Sequence, residues 1–254
     1  MVLLNKVREN LDFTQAKGEN FNFLLQNKIF QIKSLLKNKI FPKIEFGDFI
    51  IKLVDTKSEL NKAQALRYAV FYKEKKARPT FPKKMMKLDY DKIDKFADHL
   101  IVIDKKRKRI KNKIVGTYRL IRGEVASHFG GFYTSSEFDL TNILNSYNHS
   151  QILELGRSCV HKDYRNGTIV NLLWKAIAEY VKLYDIKILL GCASFHGTDP
   201  GILQEPLSLL HHNHLAPEEL RVVAKPPHYQ KMNLIEAREI NRKRAMIAVP
   251  ALIK

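Results

Sequence analysis

Apolar residues recur at helical spacing over residues 168–183, where Ile169, Leu172, Leu173, Ala176, Ile177, Tyr180 and Val181 share one face. A second stripe, Phe21, Leu25, Ile29, Ile32, Leu36 and Ile40, predicts a helix over 21–41 that stops before Pro42. Leu60, Ala63, Leu66 and Val70 predict a third helix over 57–74. Strand patterns occupy residues 49–54, 99–103, 113–120 and 152–160. Residues 186–193 form a continuous apolar run, the pattern of a strand in the centre of a sheet. Pro79 and Pro82 break the stretch 79–94, and Gly130-Gly131 interrupts another pattern. The order strand, helix, antiparallel strands, strand, Gly turn, helix, strand implies a mixed α/β sheet. Residues 152–193 read within it as a right-handed βαβ-like unit. No internal repeat or low-complexity tract interrupts the chain.

Three regions follow from these patterns. Residues 1–45 form a basic amphipathic extension, 46–225 a main domain, and 226–254 a basic C-terminal tail, expected as a helix followed by loose chain. Lys28, Lys33, Lys37 and Lys39 flank the first stripe, which leaves two uses open for that helix. It can lie in an anionic membrane surface, or its stripe can pack on the main domain.

The chain has 254 residues, 45% of them hydrophobic, enough for a sizeable core. A net charge of +18 favours acidic partners. The cations cluster in the run Lys105-Lys106-Arg107-Lys108-Arg109, expected as an exposed hairpin loop, and among Lys73, Lys75, Lys76, Arg78, Lys83, Lys84 and Lys87. Solvated loops explain such clusters as well as docking does. No nucleic-acid-binding module accompanies the charge, so nucleic acid is not an expected partner. Cys159 and Cys192 have no metal-ligand spacing, and they fit a reducing cytoplasm and a pair of small buried apolar residues. No apolar run reaches the roughly 18 residues of a membrane span. The expected location is the cytoplasm, with peripheral contact to the inner membrane left open. No metal is expected, because the run His211-His212-Asn213-His214 has no partnering cysteine or carboxylate.

The densest chemistry lies at Glu154-Leu155-Gly156-Arg157-Ser158-Cys159-Val160, followed by Tyr164-Arg165-Asn166-Gly167 and a helix opening at Thr168. A strand there carries a carboxylate and a guanidinium, then a basic Gly turn feeds a helix N-terminus. Free amides and the positive end of a helix dipole favour a phosphate. Val160, Arg165, Asn166, Gly167 and Thr168 are therefore the candidates for binding a phosphopantetheine arm.

Several segments carry a family resemblance. They are Arg67-Tyr68-Ala69-Val70-Phe71, Asp89-Tyr90-Asp91, Ile114-Val115-Gly116-Thr117-Tyr118-Arg119-Leu120 and the run from Glu154 to Arg165. The stretch from Gly191 through Cys192, Phe195 and His196 to Pro200 and the run Leu209-Leu210-His211-His212 complete the pattern. Over about residues 48–225 the chain resembles the L-ornithine Nα-acyltransferases, in the acyltransferase branch of the Gcn5-related N-acetyltransferase (GNAT) superfamily. A sparser skeleton, Arg67 with Phe71, Asp91 with Asp94, Arg119, and Glu154 with Arg157, is similar to the acyl-homoserine-lactone synthases. The superfamily's pyrophosphate loop has small residues where Thr168 and Val170 stand here. That departure disfavours coenzyme A and suits the single phosphodiester of a carrier-protein arm.

The resemblance implies a GNAT-type fold with splayed central strands. It also implies transfer of a (3-hydroxy)acyl chain from acyl carrier protein to the α-amine of L-ornithine, giving lyso-ornithine lipid. The donor is then a phosphopantetheine thioester, and no separate cofactor is needed. Expected partners are acidic acyl carrier protein, L-ornithine and an anionic membrane surface. An attacking amine must first lose a proton. Glu154 is the candidate base, directly or through water; its alternative is a structural ion pair with Arg157. Strict alternation puts residues 154 and 157 on opposite faces, so a bulge near Gly156 is expected to bring them together. A backbone N–H from residues 158–160 is expected to meet the oxyanion. Arg119 or Arg157 would hold the substrate carboxylate, and Asp91 and Asp94 the distal ammonium. Arg67 is expected to bind substrate or to tie residues 89–94 to the sheet. Two other readings stay open: an N-acyl amino-acid or homoserine-lactone-type synthase with another amine acceptor, and a non-catalytic fold that binds membrane or carrier protein.

Overall fold

A computed structural model of the chain describes residues 39–107, 112–195, 197–250 and 253. The helix expected over 21–41 lies almost wholly outside them. A compact unit begins at Phe41. In chain order it contains β1 (Ile44–Phe46), β2 (Phe49–Leu53), α1 (Lys57–Tyr68), α2 (Phe81–Met86), β3 (Asp98–Asp104) and β4 (Ile114–Arg122). Then follow α3 (Gly123–Ala126), β5 (Phe138–Asp139), α4 (Thr141–Ser146), β6 (Ile152–Val160), α5 (Thr168–Tyr184), β7 (Ile188–Leu190), α6 (Pro200–His214), β8 (Val223–Ala224) and α7 (Arg242–Ala248).

The main sheet has the order β1-β2-β3-β4-β6-β7. Every neighbouring pair is antiparallel except β6 and β7, which run parallel and are joined through α5, as the βαβ reading requires. Strand alternation sorts the core into two layers. Leu100, Val102, Tyr118 and Leu120 pack on the stripe Ile169, Leu173 and Ile177 of α5. Ile101, Ile114 and Cys159 face the other way and pack on Ala63 and Leu66 of α1. The two helices thus cover opposite faces of the sheet.

Three expectations change. The helix over 57–74 is α-helical only to Tyr68, and Ala69–Glu74 continues as a π-helical turn. The apolar run 186–193 yields only a three-residue strand at the sheet edge, not its centre. The C-terminal tail is not loose over 242–249: Ala245 and Val249 are buried, and Arg244 pairs with Glu205 of α6 at 2.5 Å.

Candidate active site

The β6–β7 ladder consists of Ile152↔Ile188, Leu153↔Leu189 and Glu154↔Leu190, and there it stops. β6 runs on to Val160 while the other chain departs at Gly191. Gly191 marks the fork, because a Cβ at this position would lie 2.3 Å from the Leu155 carbonyl oxygen. A cavity of about 410 Å³ opens beside it, walled by Tyr118, Leu155, Trp174, Leu190, Cys192 and Ala193 among others. Tyr118 and Trp174 meet edge to face in that wall.

On its other edge, toward β4, β6 bulges. Thr117 pairs with Cys159 and Arg119 with Gly156, so Arg157 and Ser158 together stand opposite Tyr118. Arg157 absorbs the extra residue with φ +53, a left-handed conformation that a branched chain would resist. The bulge was expected to bring Arg157 to Glu154; instead it turns Arg157 to the acidic segment 89–94. Arg157 Nη2 lies 3.4 Å from Asp91 Oδ2, and Nε lies 3.7 Å from Asp89 Oδ2.

That segment joins a buried ionic cluster. Arg67 donates through Nε to Asp89 at 3.1 Å and through Nη2 to Asp94 at 2.5 Å. It also reaches the Asp89 carbonyl, so it ties residues 89–94 to α1, where the expectation was the sheet. Arg119 Nη1 donates to both oxygens of Asp91 at 2.8 Å and to Asp94 at 3.0 Å. Lys83 comes within 3.3 Å of Asp89, beside a 2.9 Å bond from the Tyr72 hydroxyl. The cations Arg67, Arg119, Arg157 and Lys83 therefore face the carboxylates Asp89, Asp91 and Asp94, one positive charge in excess. Burial alone would raise the Asp94 carboxyl, but Arg67, His99 and Arg119 outweigh it and hold it at about 2. Burial likewise opposes ionisation of Asp91, and Arg119 overrides it, leaving the pKa lowered.

Most of the cluster is sealed. The side chains of Asp91 and Arg157 are 23% and 26% exposed, against 1–3% for Arg67, Asp89, Asp94 and Arg119. These two line a second cavity of about 440 Å³ with Phe129, Gly131, Tyr133 and Ser136. The Tyr133 ring lies 5.4 Å from the Arg157 guanidinium and 6.0 Å from that of Arg119.

Glu154 stands between the cavities. It is 2% exposed, and it makes no ion pair with Arg157. Its Oε2 accepts from the Tyr133 N–H at 2.7 Å; its Oε1 accepts from the Thr134 N–H at 2.7 Å and the Thr134 hydroxyl at 2.6 Å. Tyr133 lines the polar cavity and Thr134 the apolar one. From the sequence Asp89 carries the family resemblance without an assigned role, and Tyr133 and Thr134 are not singled out. The only signal for the latter two was Gly130-Gly131, whose φ values of +91 and +95 start the turn that delivers them.

The candidate phosphate-binding residues gather where β6 feeds α5. Arg165 Nε donates to the Val160 carbonyl at 3.1 Å, while its Nη2 pairs with Glu74 at 2.6 Å. Asn166 Oδ1 accepts from the Thr168 N–H at 3.1 Å, and Gly167 adopts φ +91 with open space around it.

Residues 66–175 match the family model described as acetyltransferase (GNAT) domain. A protein of Rhodobacter capsulatus named L-ornithine N(alpha)-acyltransferase is 43% identical over 80% of this chain and 78% of its own. One of Agrobacterium fabrum with the same name is 40% identical over 82% of this chain and 71% of its own. Among solved structures, the AHL synthase LasI is 15% identical over 56% of this chain and 71% of its own, with a TM-score of 0.40. The identity and span shared with the first two place this chain in the L-ornithine N(alpha)-acyltransferase family, on a GNAT-type fold.

Proposed function

We propose that the protein transfers an acyl chain from the phosphopantetheine thioester of acyl carrier protein to the α-amine of L-ornithine, releasing lyso-ornithine lipid. The observation that carries this reading is the pairing of an apolar cavity at the β6–β7 fork with a charged cavity across the Tyr133–Thr134 turn. An acyl chain suits the first and a zwitterionic amino acid the second.

In the charged cavity Arg157 receives the substrate carboxylate and Asp91 the distal ammonium, which leaves Arg67, Arg119 and Asp94 to hold those two in place. The carboxylate and the distal ammonium bring one charge of each sign, so binding leaves the charge balance of the cluster unchanged. The first turn of α5 takes the phosphodiester, with Gly167 and Thr168 at the phosphate and Arg165 beside Val160. The thioester carbonyl then sits at the fork, within reach of backbone N–H groups of residues 158–160.

Glu154 enters the chemistry through Thr134. Three donors already crowd its oxygens and the side chain is 2% exposed, so burial keeps the amine from approaching it directly. Thr134 lines the fork cavity; its hydroxyl donates to Glu154 Oε1 and accepts from the Cys192 thiol at 3.6 Å. The α-ammonium first gives one proton to solvent. As the neutral amine attacks and the N–C bond forms, its second proton passes to the Thr134 oxygen while the hydroxyl proton moves to Glu154. The C–S bond then breaks, and the departing thiolate takes that proton back through Thr134, returning Glu154 to its carboxylate. No side chain becomes acylated.

Mixing the purified protein with 3-hydroxyacyl carrier protein and a panel of amino acids tests this. Free thiol should appear with L-ornithine, with mass spectrometry showing the acyl group on the α-nitrogen. Release with a different amino acid would reassign the acceptor, and release with none would end the enzymatic reading.

A further inference from the structure

α2 is built inside out. Phe81, Met85 and Met86 are 73%, 68% and 59% exposed, whereas Lys83 is the one residue of the helix that is partly buried. At 100° per residue Phe81, Met85, Pro82 and Met86 span one arc, and Lys83, Lys84 and Lys87 point away from it. Lys83 reaches inward to Asp89 and to the Tyr72 hydroxyl, both at 3.3 Å. The usual amphipathic logic, apolar in and charged out, is reversed. Large apolar side chains held in water on a short ordered element mark a surface that something covers.

Charge identifies what covers it. Residues 75–88 carry Lys75, Lys76, Arg78, Lys83, Lys84 and Lys87 and no carboxylate. An apolar tip ringed by flexible cations matches the boundary of an anionic bilayer, where the apolar groups enter the acyl region and lysines stay at the phosphates. α2 is tied through Lys83 and Asp89 to the ionic cluster of the charged cavity.

We infer that α2 is a membrane-docking element, with Phe81, Met85 and Met86 seated in the headgroup–acyl boundary of an anionic membrane. Lys75, Lys76, Arg78, Lys84 and Lys87 contact the lipid phosphates around them. Docking there sets the charged cavity at the membrane surface. If the acyl-transfer reading holds, the amphiphilic product is released beside lipid.

The 254-residue chain carries one tryptophan, Trp174. Phe81→Trp adds a second, and the difference between its emission and that of the wild type reports position 81 alone. With vesicles of mixed phosphatidylglycerol and phosphatidylcholine the difference spectrum should shift to the blue and be quenched by acyl-brominated lipid. Pure phosphatidylcholine should give far less. The Phe81→Ser, Met85→Ser double variant should partition to the anionic vesicles about tenfold less. Its thiol release in lipid-free solution should match the wild type. Vesicle binding without a shift at position 81 would overturn the proposal, since another segment would then be responsible. So would a blue difference spectrum in lipid-free monomer, or the same shift produced by carrier protein or by raising the protein concentration. The fluorescence and vesicle-partitioning readings use no substrate, so their failure leaves the acyl-transfer reading intact, and absent thiol release leaves them intact.

Discussion

Glu154 holds the Tyr133–Thr134 turn with its two oxygens, and the proposed relay gives the same oxygens a proton to accept; the two roles can be separated at Thr134. Thr134→Val keeps the side-chain shape and removes the hydroxyl. Under the relay it should lower kcat by about 100-fold, the scale of positioned acid–base catalysis, with KM for ornithine nearly unchanged. Thr134→Ser should restore most of that loss. Glu154→Gln replaces an acceptor oxygen with a donor facing N–H groups, so it should cost at least as much and combine non-additively with Thr134→Val. Wild-type turnover in Thr134→Val would rule the relay out. Asp94 allows a different residue-scale test, on stability. Its carboxyl ionises at about 2 in the fold against 3.8 in an unfolded chain. A depressed pKa of this kind contributes stability that is fully present above the unfolded value and is lost as pH falls toward the folded one. Denaturant titration should show about 2 kcal/mol disappearing between roughly pH 4 and pH 2. Asp94→Asn should flatten that part of the profile and be less stable at neutral pH, because Arg67 and Arg119 lose a buried counter-charge. A wild-type profile unchanged over that range would contradict the assignment.

At the scale of elements, periodicity read the sheet and α5 well because each has one dry face, and it failed where apolar residues serve a cavity. Leu189, Leu190 and Ala193 look like sheet interior in a string of letters, yet they line the fork. Nothing in an apolar run records that Gly191 must pass the Leu155 carbonyl and leave the ladder. The ionic residues present the opposite case. Arg67, Asp91, Asp94, Arg119 and Arg157 do converge, but only their family spacing announced them, since burial of so many charges runs against composition. Tyr133 and Thr134 stayed hidden because a carboxylate two strands of sequence away holds them. The cavity reading makes an element-scale prediction. Ala193→Phe should fill the apolar cavity and shift the preferred donor to shorter acyl chains, with ornithine KM unaffected. Turnover measured across a chain-length series checks this; an unchanged optimum would place the acyl chain elsewhere.

For the molecule as a whole, the charge of +18 is unevenly available. In the β3–β4 connection Lys105 lies 3.3 Å from Glu45 and Lys106 lies 2.6 Å from Asp48, so part of that basic run is spent on its own surface. The stretch 75–88 has no carboxylate of its own, and only Lys83 of α2 turns inward to one. A field of this sign speeds the approach of an acidic carrier protein more than it tightens the bound complex. Raising ionic strength shortens the screening length to about 8 Å at physiological salt and about 3 Å at 1 M. The apparent KM for acyl carrier protein should therefore climb by roughly tenfold or more over that range, with kcat little changed. The same acyl chain on free 4′-phosphopantetheine keeps the phosphate but carries no acidic protein, so its thiol release should respond weakly to salt. Contacts inside the fork are common to both donors and cancel in the comparison. Parallel salt dependence for the two would mean that the charge acts within the site and does not steer the carrier protein.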